Sequence, residues 1–191
     1  MRGSVRIVAL GVAVLTLAGC AGSTDAADGP PVTEAASPAG GRTVPLEEGA
    51  SAAFYAPSGD VWCQLTESTV RCDVGDAEWP LPPAPADCEL DWIASVGMDA
   101  DGAPTVGGCV GDTIALVEPG GWGTEWFDPD LDIVVERAGF DQGVPALRHG
   151  SEITDGVLRC TMTAEPDAGV RCSTVGEDTG FFVSRARVEI F

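Results

Sequence analysis

The chain contains no lysine and no asparagine, and has one histidine and one tyrosine among its 191 residues. Without lysine there is no side-chain amine, so Schiff-base and lysine-base chemistry are excluded. Without asparagine there is no acceptor for N-glycosylation. A Ser-His-acid arrangement needs a positioned imidazole, and only His149 is present. No Gly-x-Ser-x-Gly elbow accompanies it. No Cys-x-x-Cys pair occurs, and His149 is remote in sequence from most cysteines, so the spacing of a zinc site is missing. Positive charge is scarce as well: ten arginines face thirty carboxylates, a formal net charge of −20. Phosphate backbones repel such a chain, which excludes nucleic acid as a partner, and an anionic membrane surface repels it too. No long stretch of 3.6-residue apolar period is found, so nothing reads as an amphipathic helix.

What is present begins with a leader. Arg2 and Arg6 precede an apolar run from Ile7 to Ala18. The run has the length of a secretory core and is too short to cross a hydrocarbon layer of ~30 Å as a helix. It ends in Leu17-Ala18-Gly19-Cys20, which resembles the lipobox of bacterial lipoproteins. The alternative is an ordinary secretory signal followed by a chance cysteine. The resemblance implies a signal peptide over 1–19, cleavage before Cys20, and acylation of the Cys20 thiol. Two or more acyl chains anchor a protein stably, which places the mature chain on the outer face of the cell membrane. Loss of Arg2 and Arg6 makes the mature chain still more acidic.

From residue 20 to 49 the sequence is rich in Ala, Gly, Pro, Ser and Thr and has no aromatic residue. Such a segment buries too little apolar surface to offset ordering entropy, so 20–49 reads as the lipidated cysteine and a disordered tether. A coil of this length spans roughly 30 Å. Residues 50–191 read as one β-domain, with short apolar runs separated by Gly, Pro and Asp. The expected fold class is all-β: a small disulfide-stapled antiparallel sheet domain, sandwich or open barrel, with two similar Cys-linked hairpins. Phe182–Ile190 alternates with period two and reads as a single half-buried strand. Trp79-Pro80-Leu81-Pro82-Pro83-Ala84-Pro85 reads as an extended connector, since proline cannot occupy a central strand.

Six cysteines remain after Cys20, and six allow fifteen pairings. Repetition narrows the choice. Val61-Trp62-Cys63 leads through a polar turn to Val70-Arg71-Cys72, and Leu158-Arg159-Cys160 leads through Glu165-Pro166-Asp167-Ala168-Gly169 to Val170-Arg171-Cys172. Each half reads as a hairpin with one cysteine on each strand, and cross-strand neighbours sit at a spacing a disulfide can close. The expected bridges are Cys63–Cys72 and Cys160–Cys172, leaving Cys88–Cys109. Export to an oxidising compartment favours their formation.

The domain is similar to a family of small secreted or lipid-anchored actinobacterial domains without an assigned function. The similarity is carried by Ala56-Pro57-Ser58-Gly59-Asp60-Val61-Trp62-Cys63, Val70-Arg71-Cys72-Asp73-Val74, Trp79-Pro80, Cys88-Glu89-Leu90-Asp91-Trp92 and Cys109-Val110-Gly111-Asp112-Thr113. It continues in Gly169-Val170-Arg171-Cys172 and Thr179-Gly180-Phe181-Phe182-Val183-Ser184-Arg185-Ala186, so it spans about Phe54 to Phe191. Val117–Phe140 is longer here than in the family pattern. The resemblance implies a fold and a location and no mechanism. It also places an aromatic residue at the position of His149, which implies a structural role there.

Three kinds of chemistry remain to be weighed. Thirty acidic residues bring carboxylates together by chance, and no pair stands out for acid–base work. Asp128-Pro129-Asp130-Leu131-Asp132 has oxygens at alternate positions, but Ile133 and Gly139 stand where a calcium loop needs Gly and Glu, so a turn into a strand is expected. Asp99 and Asp101 read as part of a hairpin turn. The Gly-rich stretch 120–127 carries Trp122, Trp126 and Phe127, and exposed rings of this kind mark contacts with a partner or a sugar. The competing reading is that one or both tryptophans cap the core. Trp62, Trp79 and Trp92 are expected to pack over disulfides. No catalytic residue, metal ligand or cofactor is assigned. The chain reads as a non-enzymatic binding module of the cell envelope, attached to the membrane through its N-terminal lipid. The alternatives are a carboxylate-dependent cell-wall glycan hydrolase and a structural module without a small ligand.

Overall fold

A computed structural model describes residues 40–111, 119–166 and 168–191. The leader, Cys20 and the tether up to residue 39 lie outside them. Among the described residues there are thirteen strands and no helix. In chain order they are β1 (Thr43–Pro45), β2 (Ser51–Tyr55), β3 (Val61–Thr66), β4 (Thr69–Val74), β5 (Asp91–Asp99), β6 (Thr105–Val110) and β7 (Ile133–Arg137). β8 (Phe140–Ala146), β9 (Glu152–Thr154), β10 (Leu158–Thr163), β11 (Gly169–Thr174), β12 (Gly180–Val183) and β13 (Val188–Ile190) follow.

The strands form two sheets, one in the order β6-β5-β4-β3-β2-β8-β7 and one in the order β1-β9-β10-β11-β12-β13. Apolar residues from both sheets belong to one buried cluster, so the architecture is a sandwich around a shared core. The centre of each sheet is a row of cross-strand neighbours with a disulfide in its middle. In one sheet the row is Phe54, Cys63, Cys72 and Val96, and in the other it is Ile153, Cys160, Cys172 and Phe181. No member of either row is more than 1% exposed. The cysteine Cα atoms lie 4.0 and 4.1 Å apart, as in the closer pairs of an antiparallel ladder. Both expected hairpin bridges are therefore present, and Cys88–Cys109 is the third.

The two halves repeat each other beyond these hairpins. β2 to β5 and β9 to β12 are both four-strand meanders. Each is preceded by a Val-Pro segment, Val44-Pro45 before one and Val144-Pro145 before the other. These leading strands cross over. β1 pairs parallel with β9, and β8 pairs parallel with β2. Leu46 N–H donates to the Thr154 carbonyl and Leu147 N–H to the Tyr55 carbonyl, at corresponding places. Each half thus completes the other half's sheet.

Three expectations are corrected here. The sheets are mixed rather than purely antiparallel, because the exchanged strands run parallel to their neighbours. The tether does not extend to residue 49: Thr43–Pro45 is a strand, held by the β9 ladder and by burial of Val44. One valine among small residues is too weak a signal to mark a strand whose partner lies about 110 residues away. Phe182–Ile190 is not a single strand. The chain reverses between Val183 and Val188, with Ser184 N–H donating to the Arg187 carbonyl, and β12 pairs antiparallel with β13. The period-two pattern held on both sides of the turn and concealed it.

The proline-rich connector forms no strand, as expected. It is pinned by indoles at its start and at its middle: Trp79 Nε1–H donates to the Ser184 carbonyl, and Trp92 Nε1–H to the Pro82 carbonyl. Trp79 enters the shared core. Trp92 stands opposite Cys109 in the ladder and is only half-buried. Its ring lies over Gly107, where a Cβ would come within 2.1 Å of it. Trp62 does not pack over a disulfide. It joins Tyr55, Val144 and Ala146 in a separate cluster.

The core bridge carries a direct test. Converting Cys160 and Cys172 together to alanine opens a loop with a sequence separation of 12. Unfolding in denaturant should show a loss of roughly 2.5 kcal/mol, the loop-closure value for that length. An unchanged midpoint would mean that the bridge does not constrain the unfolded chain.

Candidate functional site

The described stretch from Pro119 to Asp132, which leads into β7, contains no strand but is firmly attached. β2 meets β8 only at Tyr55, which leaves the Ser51–Ala53 part of its edge open to other partners. The connection takes that edge. Ala53 N–H donates to the Gly123 carbonyl at 2.7 Å, and the Ala53 carbonyl accepts from Trp126 Nε1–H at 3.1 Å. Gly123 has φ +73°, a conformation that favours glycine, and a Cβ there would fit only tightly, within 3.1 Å of Ala53 N. Thr124 is buried, and its hydroxyl donates to the Gly121 carbonyl.

The three aromatic residues of this stretch separate. Trp126 is buried in the core, edge-on to Phe54 and to Phe127, with ring centroids 6.4 and 6.0 Å apart. Phe127 is partly buried against the same cluster. Trp122 is 54% exposed. The expectation of one recognition surface made by Trp122, Trp126 and Phe127 is thereby narrowed: Trp126 and Phe127 anchor the loop, and Trp122 is the ring presented to solvent.

A second anchor was not visible in the sequence. Arg42, just before β1, donates through Nε to Asp132 at 3.2 Å and through Nη2 to the other Asp132 oxygen and to the Trp126 carbonyl. The Asp132 side chain is fully buried and also accepts from Asp128 N–H at 3.0 Å. Asp128 in turn accepts from Asp130 N–H. The Asp128-Asp130-Asp132 series therefore closes a turn into β7 and receives an arginine. Among the described residues no group of three or more His, Cys, Asp or Glu side chains is placed to share a metal ion.

Between the β1–β2 connection and this loop lies a cleft of about 580 Å³. Leu46, Glu47 and Ser51 line one side and Trp122, Glu125 and the edge of Trp126 the other. Glu47 and Glu125 are both exposed. The remaining imidazole does not join it: His149 Nδ1–H donates to the Thr163 carbonyl at 2.7 Å, a turn-fastening contact.

A second cluster lies apart from the main core. Tyr55 and Trp62 are cross-strand neighbours, with the Arg137 guanidinium 5.4 and 4.7 Å from their ring centres. The Tyr55 hydroxyl and Trp62 Nε1–H are buried, with no hydrogen-bond partner among the described residues. Burial pushes the Tyr55 pKa up to about 12, partly opposed by the positive charge of Arg137. The folded protein therefore holds the phenol proton more tightly than the unfolded chain. Stability from this source is intact below pH ~10 and declines as pH rises from ~10 toward 12. Tyr55→Phe is expected to be neutral or slightly stabilising at pH 7, because it removes an unpaired buried hydroxyl, and to flatten the alkaline decline. Thermal midpoints measured between pH 7 and 11.5 check both.

No family model, no curated protein and no solved structure matches this chain.

Proposed function

We propose that the protein is an exported lipoprotein, acylated at Cys20, whose β-sandwich binds an envelope or extracellular partner through the cleft beside Trp122. The supporting observation is the presentation of Trp122. Of the described tryptophans it alone is mostly exposed, and its loop is held by Ala53, Trp126, Thr124 and the Arg42–Asp132 pair. An exposed ring on an immobilised loop offers contact area at small entropic cost. Three disulfides suit an oxidising compartment outside the cytoplasm. The lipobox-like leader supplies the membrane attachment, and the negative charge supports a domain held off the lipid surface.

The hydrolytic reading is less well supported. A glycosidase holds one carboxyl protonated by burying it, and both carboxylates of the cleft are exposed.

Full-length protein purified from membranes provides the test. Mass spectrometry should find the mature N-terminus at Cys20 carrying acyl chains. Trp122→Ala should leave the unfolding free energy within about 0.5 kcal/mol, as expected for an exposed site. The same substitution should reduce cross-linking to the envelope partner by about tenfold. Retention of the cross-link by a folded Trp122→Ala protein would remove the cleft from the proposal.

A further inference from the structure

The cleft's polar groups differ in kind from those of a general-purpose binding site. Among the described residues its lining includes no Lys, Arg, His, Asn or Gln. The charged side chains are the carboxylates of Glu47 and Glu125, which only accept hydrogen bonds when ionised, and the neutral polar groups are the Ser51 hydroxyl and the Trp122 indole N–H. The indole of Trp122 offers a negative π-face. A neutral sugar can hydrogen-bond to these groups but leaves the charge of both carboxylates uncompensated. A guanidinium or ammonium group only donates and carries positive charge. It matches two acceptor carboxylates and an aromatic face together. The chain's net charge of −20 attracts such a ligand over distance.

We infer that the Trp122 cleft recognises an organic cation, a guanidinium or ammonium group seated over the indole between Glu47 and Glu125. This rests on the reading of the cleft as a binding site. Recognition combines a cation–π contact with charge-assisted hydrogen bonds, with Trp122 and Glu125 supplied by the anchored loop and Glu47 by the β1–β2 connection. The cation can be a side chain of a polypeptide or a free polyamine.

Calorimetric titration of the full-length protein with three probes tests it: an arginine tetrapeptide, spermine, and a neutral tetramer of β-1,4-linked N-acetylglucosamine. The cationic probes should bind with an affinity that falls as salt is raised. Trp122→Ala should weaken them by about tenfold, and the Glu47→Gln/Glu125→Gln pair by at least as much. Tighter binding of the peptide identifies a polypeptide source, and tighter binding of spermine a free amine. Cation binding that survives both sets of substitutions is diffuse attraction to an acidic protein and overturns the inference. Trp122-dependent binding of the neutral sugar without binding of the cations overturns the inference while leaving a binding cleft in place. Failure of all three probes on folded protein counts against the inference and the cleft alike.

Discussion

Trp126→Ala is expected to cost about 4 kcal/mol of folding stability and to abolish the binding proposed for the cleft. Large aromatic truncations in cores cost about 3–5 kcal/mol through lost transfer energy and the residual cavity. Trp126 is 8% exposed and edge-on to both Phe54 and Phe127, so there is little free surface to collapse into. Its loss also leaves the Ala53 carbonyl without the Nε1–H donor, in a segment where β2 has no neighbouring strand to substitute. Trp126→Phe separates the two contributions. It keeps most of the packing and removes the hydrogen bond, and should cost about 1–2 kcal/mol. Denaturant unfolding of both variants checks the values. A cost below about 1 kcal/mol for Trp126→Ala would show that the loop is not anchored through this ring, and the rigid presentation of Trp122 would lose its basis.

Arg42→Ala is expected to cost about 3–4 kcal/mol. Removing one member of a buried ion pair strands the other charge, and the usual penalty is about 3–5 kcal/mol. Asp132 is the stranded charge: its side chain is fully buried, whereas that of Arg42 is 26% exposed. The lower part of the range applies because Asp128 N–H still donates to Asp132. The Trp126 carbonyl loses its Arg42 donor at the same time. The companion variant Asp132→Asn should cost less than Arg42→Ala, since it removes the buried charge along with the pair. Amide exchange over residues 42–46 provides a local readout: β1 should lose protection before the rest of its sheet. Unchanged exchange there, with stability within 0.5 kcal/mol of the parent chain, would mean that β1 and the loop are held independently.

Much of the fold was legible because its signals are local. The Cys63–Cys72 and Cys160–Cys172 bridges span separations of only 9 and 12 residues, and a turn flanked by Val-Arg-Cys places both cysteines without reference to the rest of the chain. The end of the chain shows the limit of such reading. Alternation in Phe182–Ile190 is compatible with one strand or with two strands and a tight turn, and Ser184 and Arg187 close the turn through contacts that leave the period undisturbed. The site was legible only in part. Trp122 and Trp126 are the same residue type four positions apart in one Gly-rich stretch. Nothing nearby distinguishes the ring that enters the core from the ring that faces solvent.

By itself, the sequence determined that the domain is built of strands, that its hairpins are stapled by their own cysteines, and that its net charge is strongly negative. These follow from composition, from period-two patterning and from turn residues, all of which act over a few residues. The tertiary structure alone decided that β1 and β8 each complete the sheet of the opposite half, that Arg42 leaves an apparently featureless segment to meet Asp132, and that Trp126 is buried while Trp122 is presented beside Glu47 and Glu125. Each of these depends on groups about 70 to 110 residues apart, such as Trp126 with Ala53 and Thr43 with Glu152. Burial is a property of the assembled core. A side chain's own identity states only that it gains by being covered, and the neighbours that arrive through the fold determine whether it is.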